Sequence, residues 1–432
     1  MNKLMFVRHA ESVGNKSNML QGQHDYPLTD NGLNSIDKLA SSNISKLKEY
    51  DNIISSPLTR TRQTASVIKE KTGLEINFDE LLKEISFGVL DGMFKINELP
   101  NYKEVFYKFS KTGELNTIPG SENADILQVR CLMFLEQFLN KNYNNIVVTH
   151  AGMLRFLLNT ISGLPRMSNQ DVSHDKIHEE SNIFRNIKFV KNNEGYKVDT
   201  FDSSFIIKKR NGTLEKNDYE EERLSKYLIN FVNIPRLLKM SNRDGYVLKG
   251  YEYKKGSNDN LDDLKIKNAA DMILKMLLTL YDVRDNYDFP EVDMKANLQN
   301  IIAGLNDIEL QKIGNDLLKS SYFRNGIDND TVSLIHNKLN KSNIIYDESK
   351  PCILGFDNIK KYPVTYQLAS YIALSFMLDN PEFNIDNILR YWNMPIDKRY
   401  LLDLIKYRLL EGIKEEKDNY KYVKCLKKIG SM

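Results

Sequence analysis

Lys3-Leu4-Met5-Phe6-Val7-Arg8-His9-Ala10-Glu11-Ser12 is the stretch that decides the fold of the first half of this chain. An apolar run that ends on a cation and an imidazole reads as a buried strand delivering polar side chains at its carboxyl end. The pattern returns in Asn145-Ile146-Val147-Val148-Thr149-His150 and, without the histidine, in Asn52-Ile53-Ile54-Ser55. Helical patterns lie between these runs. One carries Ala65, Val67 and Ile68 and stops at Gly73, and another runs from Ala151 to Ser162 and stops at Gly163, as the C-cap preference for glycine predicts. Short apolar runs alternating with helices imply βα units and a mostly parallel sheet. Ligands of such sheets bind outside the carboxyl ends of the strands, so His9 and His150 are expected in one site. Arg8 adjoins His9, and Arg60 follows the second apolar run in Ser55-Ser56-Pro57-Leu58-Thr59-Arg60, so the same rim gathers two guanidiniums. Segments 183–190 and 196–201 alternate around Asn192-Asn193-Glu194-Gly195, which suits a hairpin.

The whole chain has 432 residues, enough for two or three domains. Apolar residues make up 41% and charged residues 27%, ordinary for a globular protein with more than one core. Sixty basic against 58 acidic residues leave +2, a balance with no overall field for nucleic acid or an anionic membrane, so neither is expected as a partner. Any anion site must be local. Cys131, Cys352 and Cys425 are scattered and form no CxxC pair, so no disulfide framework or metal site is expected and a reducing cytoplasm is the simplest home. The N-terminus lacks a signal-type apolar region, and no apolar stretch is long enough to span a membrane. From about 202 to 223 the sequence is dense in charge, which marks residues 205–224 as a linker between a domain of residues 1–204 and another of residues 225–432. Beyond it, helical periods dominate, at 269–281, 298–318, 366–378 and 400–415, after a strand-like Tyr246-Val247-Leu248-Lys249.

Five segments occur in order: Phe6-Val7-Arg8-His9-Ala10-Glu11-Ser12 with Asn15; Gln21 to Gly32; Ser55-Ser56-Pro57-Leu58-Thr59-Arg60; Glu84-Ile85-Ser86-Phe87-Gly88 with Asp91-Gly92; and Thr149-His150-Ala151-Gly152. Together they resemble the histidine phosphatase superfamily, the phosphoglycerate-mutase-like fold, over residues 1–204. The resemblance implies a three-layer α/β/α domain. It implies that His9 is a nucleophile that becomes phosphohistidine, that Arg8, Arg60 and His150 bind the transferring phosphoryl group with Asn15 nearby, and that Glu84 gives a proton to the leaving oxygen. No metal or other cofactor is needed on this scheme, because the arginines supply the charge. Alanine replaces the family's glycine at Ala10 and at Ala151. The acid-apolar-Gly pattern after Glu84 looks like the phosphatase branch rather than the mutase branch. The expected activity is hydrolysis of a small phosphorylated metabolite; the alternatives are a phosphomutase, or a scaffold that binds phosphorylated ligands without turnover. Tyr102, Phe106, Tyr107 and Phe109 form an aromatic stretch that packs as a helix face or lines a pocket. His174 and His178, four residues apart, could share a helix face; they read as surface residues, with a contribution to the pocket rim as the alternative.

Near the C-terminus, His336-Asn337-Lys338-Leu339 with Asn343, then Leu354-Gly355-Phe356-Asp357, then Gln367-Leu368-Ala369, resemble the C-lobe of aminoglycoside and choline kinase-type phosphotransferases. On that resemblance Lys249 contacts nucleotide, but Lys338, Gly355 and Gln367 stand where the kinases carry acids, and Asn343 survives. Kinase chemistry needs those acids to orient the acceptor and to hold Mg²⁺. The implied domain is a mainly helical, kinase-like binding or regulatory module without phosphoryl transfer; Asp357, two residues past Gly355, is out of register as a substitute metal ligand, and the alternative is an unrelated helical domain with a coincidental motif.

Overall fold

The computed structural model describes residues 2–93, 102–113, 118–257, 263–326, 332–336, 343–347, 350–356, 359–377, 400–415 and 420–430. The chain divides into two compact units, one of Met1–Thr213 with Leu237–Tyr253 and one of Leu214–Arg236 with Lys254–Met432.

The first unit is built on a sheet of β1 (Lys3–Arg8), β2 (Asn52–Ser55), β3 (Glu75–Phe78), β4 (Asn144–Thr149) and β5 (Ile177–Ser181), in the order β3-β2-β4-β1-β5. All neighbours are parallel except β5, which runs against β1. Side chains alternate across a strand, and here both faces are covered. Leu4, Phe6 and Val147 face one core, shared with the helices Ala124–Glu136 and Ala151–Ser162. Met5, Val7, Ile146 and Val148 face the other, shared with the helices Asp30–Ser42 and Thr59–Thr72. This gives three layers, α/β/α. Gly73 and Gly163 end their helices at φ +81° and +67°, the left-handed conformation their place in the sequence predicts.

A second, antiparallel sheet belongs to the same unit: β6 (Lys188–Lys191), β7 (Gly195–Asp199), β8 (Ser204–Asn211), β9 (Leu237–Arg243) and β10 (Tyr246–Glu252), ordered β6-β7-β8-β10-β9. Asp244 and Gly245 turn the last hairpin with φ +49° and +78°, as a primed two-residue turn requires. Val198, Phe205, Ile207 and Leu248 join the core around the helix Ala124–Glu136. Residues 205–224, read as a linker from their charge, hold most of β8 and the start of the helix Lys216–Leu228. Along β8 buried Phe205 and Ile207 precede the charged residues, and Lys209 reaches Glu136, so the charge decorates regular structure.

In the second unit the helices Lys216–Leu228, Asp263–Asp282, Met294–Ala303, Ile308–Leu318, Val364–Met377, Leu401–Glu415 and Tyr420–Gly430 enclose one apolar core. Beside them stand two short antiparallel pairs, β11 (Val332–His336) with β14 (Ile359–Pro363) and β12 (Ile344–Asp347) with β13 (Lys350–Ile353). The helical pattern of 298–318 is broken in two. Gly304 closes the first helix, and Asp307 starts the next by accepting from the amides of Glu309 and Leu310 at 2.8 and 3.2 Å. Among the described residues no helix is long and apolar enough to cross a membrane.

Candidate active site

The pairing register fixes the centre of the site. Arg8 lies opposite Thr149 in the parallel pair β1 and β4, so the next residue on each strand, His9 and His150, leave the sheet side by side. Their ring centroids are 5.2 Å apart and both are buried, 3% and 0% exposed. The helix Thr59–Thr72 follows β2 directly, which delivers Arg60 to the same place.

Hydrogen bonds settle both tautomers. His9 Nδ1 lies 2.8 Å from the Ala10 carbonyl oxygen, which can only accept, so Nδ1 carries the proton and Nε2 of the neutral ring keeps its lone pair. Arg60 Nε donates to His150 Nδ1 at 3.2 Å, so neutral His150 is protonated on Nε2 and donates to Ser56 Oγ at 2.8 Å. The other two Arg60 nitrogens donate to the carbonyls of His24 and Gly22 at 2.9 and 2.8 Å, which clamps the loop after β1 across the guanidinium. Arg8 donates to the Val172 carbonyl at 3.2 Å, while its Nε is buried with no partner among the described residues.

Charge is concentrated here. Burial holds His9 and His150 well below the usual histidine range, reinforced by Arg60 and Arg8 at His9 and by Arg60 and His9 at His150. Burial also draws Arg8 down to about 10, with Glu84 opposing and the charges of Arg155 and Arg60 adding to it, so it stays cationic at neutral pH. The result is two neutral imidazoles between two guanidiniums, an arrangement that favours a polyanion.

Glu84 reaches this centre from the loop after β3. Its carboxylate oxygens accept from the amides of Gly152 (3.2 Å), Met153 (3.1 Å) and Ile85 (2.9 Å), which seats it at the first turn of the helix Ala151–Ser162. Asn15 has a different local task. Its Oδ1 accepts from the amide and hydroxyl of Ser12 at 3.1 and 2.8 Å, closing a capping box on the helix Val13–Lys16.

Sequence reasoning gave three members of the neighbourhood too little weight. His174, read first as a surface residue, brings its ring centroid to 5.5 Å from that of His9 at a tilt of 51°, and burial together with the Arg8 charge takes it down to about 4. It and His178 share no helix, because residue 174 lies in a loop and His178 on β5. Arg155, one turn into the helix that begins after His150, acts on Arg8 electrostatically and buries its Nε with no hydrogen-bond partner among the described residues. Ser56 belongs to the segment Ser55 to Arg60, where its residue type alone signals no role, and its part is the contact with His150. In the aromatic stretch, Tyr107 is exposed and Phe109 packs against the core, and the side chains of Tyr102 and Phe106 lie outside the described residues.

Of the kinase-like positions, Lys249 is on β10 in the first unit, 8% exposed. In the second unit the Leu354 amide donates to the Asn343 carbonyl at 2.8 Å, and the following residue, Gly355, turns with φ +83° against the Asn343 side chain. Gln367 donates from its amide nitrogen to the carbonyls of Leu277 and Leu334 at 3.1 and 3.4 Å. Lys338 lies outside the described residues.

The model of the "Histidine phosphatase superfamily (branch 1)" matches residues 4–179. A Hydrogenobacter thermophilus protein named "Putative phosphoserine phosphatase 2" is 32% identical over 165 residues, 38% of this chain and 80% of that protein. The Photorhabdus laumondii protein named "Probable phosphoglycerate mutase GpmB" is 35% identical over 168 residues, 38% of this chain and 77% of its own length. Among solved structures, the alpha-ribazole phosphatase from Shigella flexneri aligns with 46% of this chain and 96% of its own, at 20% identity and a TM-score of 0.36. The named relatives therefore carry both phosphatase and mutase names, each over 38% of this chain. Through residues 4–179, the chain belongs to the histidine phosphatase superfamily.

Proposed function

We propose that the first unit hydrolyses a small phosphomonoester through a phosphohistidine formed on His9. The observation that carries this reading is the Ala10 carbonyl on His9 Nδ1, which leaves the Nε2 lone pair as the nucleophile between Arg8, Arg60 and His150. Nε2 attacks phosphorus in line, and the bond to the ester oxygen breaks. The arginines and the Nε2–H of His150 stabilise the charge on the equatorial oxygens. Glu84 protonates the departing alkoxide, then takes a proton from the water that attacks the phosphohistidine, which returns His9 and releases phosphate. The acid-apolar-Gly sequence from Glu84 to Gly88 supports hydrolysis over transfer to a second site on a sugar or acid phosphate.

The test is a rapid quench of the full chain with labelled substrate into alkaline denaturant. Label should appear on the protein and vanish in His9→Ala, along with turnover; a wild-type protein with neither label nor turnover would be a binding scaffold.

For the second unit we propose a kinase-like module that binds or regulates without transferring phosphate. Gly355 and Gln367 support this reading, since neither offers a carboxylate to a metal ion. The melting temperature of the full chain, measured with ATP alone and with ATP and Mg²⁺, tests it. A rise that requires Mg²⁺ would count against an acid-free site. Cys131, Cys352 and Cys425, scattered along the sequence with no CxxC pair, fit a cytoplasmic setting, which completes the proposal.

A further inference from the structure

Arg130 sits in the middle of an otherwise apolar helical stretch, Val129-Arg130-Cys131-Leu132-Met133, and is 1% exposed. Its guanidinium is spread over one short piece of backbone. Nε donates to the Leu81 carbonyl at 3.4 Å, Nη2 to the Lys83 carbonyl, and Nη1 to the Glu84 carbonyl at 3.3 Å. Residues 83 and 84 follow a single 3₁₀ turn and belong to no strand, so their carbonyls have no ladder to satisfy them.

Nη1 also pairs with Glu122 Oε2 at 2.5 Å. The same Glu122 oxygen accepts from the Ser86 amide at 3.0 Å and from Gln23 Nε2 at 3.5 Å, and Gln23 Nε2 donates in turn to the Glu84 carbonyl at 3.0 Å. The peptide that carries Glu84 is thus gripped before and after the residue, and its carbonyl takes two donors. Burial pushes the Glu122 carboxyl up, but the Arg130 charge and hydrogen bond outweigh it, so Glu122 is ionised at neutral pH.

Stability is a poor explanation for this arrangement. A buried Arg–Glu pair gains little over apolar side chains of similar volume, and this helix is apolar on either side of Arg130. What apolar residues would not supply is directional donors to the carbonyls of Leu81, Lys83 and Glu84.

We propose that Arg130, Glu122 and Gln23 are positioning residues: they hold the 83–86 backbone so that the Glu84 carboxyl stays at the helix start beside His9 and His150. The proposal rests on the reading of Glu84 as proton donor. That reading gives the two ideas a common measurement, because an acid matters for a poor leaving group and hardly matters for a phenol that departs unprotonated.

Turnover of an alkyl phosphate and of 2,4-dinitrophenyl phosphate is measured for Glu84→Gln, for the double variant Arg130→Met with Glu122→Leu, and for Gln23→Ala. The double variant leaves no unpaired buried charge. Gln23 is only half-buried, so its variant remains informative should the double variant fail to fold. Loss of a general acid is expected to cost Glu84→Gln about 10²-fold or more in kcat on the alkyl ester and little on the aryl ester. The positioning variants should show the same selectivity at smaller size, roughly 10- to 100-fold for the double variant, in line with the cost of a displacement of about 1 Å. If Glu84→Gln is selective while the double variant or Gln23→Ala loses both substrates equally, or neither, the positioning role is overturned and the proton donor stands. If Glu84→Gln itself is unselective, the proton donor falls and the positioning role with it.

Discussion

Replacing Gly152 by alanine isolates the contact between Glu84 and the helix that follows His150. A methyl group at Gly152 would lie 2.6 Å from Glu84 Oε1, 2.6 Å from Ile85 Cδ1 and 2.8 Å from Ile85 Cγ1, where ordinary contact begins near 3.4 Å. Glu84 and Ile85 must therefore retreat by about 0.8 Å, which also breaks the 3.2 Å bond from the Gly152 amide. Two effects oppose each other in stability: alanine favours the helix by about 1 kcal/mol over glycine, and the displaced neighbours cost an amount of similar size. The urea midpoint should move little. Activity has no such compensation, since a misplacement approaching 1 Å costs about 10²-fold in rate. The assay is kcat on an alkyl phosphate beside the folding midpoint, with Ala151→Gly as the control: the amides that hold the Glu84 carboxylate are those of Gly152, Met153 and Ile85, so a change at residue 151 should alter kcat less than about threefold. A Gly152→Ala protein that folds and keeps wild-type kcat on the alkyl ester would refute the assignment of Glu84 to the chemistry.

Acid should destabilise the first unit early. His9 and His150 are held neutral in the fold, so as pH falls below the ordinary histidine value of 6.5 the unfolded chain binds protons that the native state refuses, and stability drops by up to about 1.4 kcal/mol per histidine for each pH unit. Urea midpoints at pH 7.5 and 5.5 check this, and equal midpoints would contradict it. Nitrogen-15 spectra should show His174 neutral at pH 6 and titrating near its value of about 4. Arg155→Gln should weaken inhibition by inorganic phosphate roughly fivefold, about 1 kcal/mol, if its charge reaches the anion beside Arg8. In the second unit, Glu411→Leu should lower stability by about 3 kcal/mol, read as a fall in melting temperature, because the buried hydroxyls of Tyr362 and Tyr366 lose their acceptor and half-buried Asn297 loses one of two.

The parallel core was legible because its strands are buried on both faces and so appear as unbroken apolar runs. Such runs end where the site begins, which is why His9, His150 and Arg8 could be placed together before any coordinates. Arg130 and Glu122 left no comparable trace. They are eight residues apart with the cap residue Asn123 between them, a spacing that no helical or strand period brings together. In the sequence Arg130 reads only as a polar interruption of an apolar helix. His174 failed for a related reason, since its loop is brought to the site by β5 pairing with β1, a long-range antiparallel contact. The 205–224 stretch misled because composition reports the average of a segment, whereas a strand needs only alternate residues to be apolar.

The two alanines that replace family glycines also have unequal meanings. Ala151 begins its helix and is accommodated, while Gly152 faces the carboxylate of Glu84 and leaves no room for a side chain. Ala10 keeps the one backbone feature the site requires of it, its carbonyl oxygen.

That carbonyl has a chemical consequence of its own. Imidazole can be phosphorylated on either nitrogen, giving two isomers that differ in hydrolytic lifetime and in recognition by isomer-specific reagents. With Nδ1 committed to Ala10, the phosphoryl group would be carried on Nε2 alone, so a phosphoenzyme of this protein would be the τ isomer. The proton kept on Nδ1 would leave the phosphorylated ring cationic, so that neutral imidazole departs when water attacks, and its hydrogen bond to a fixed acceptor would keep the ring from drifting out of line.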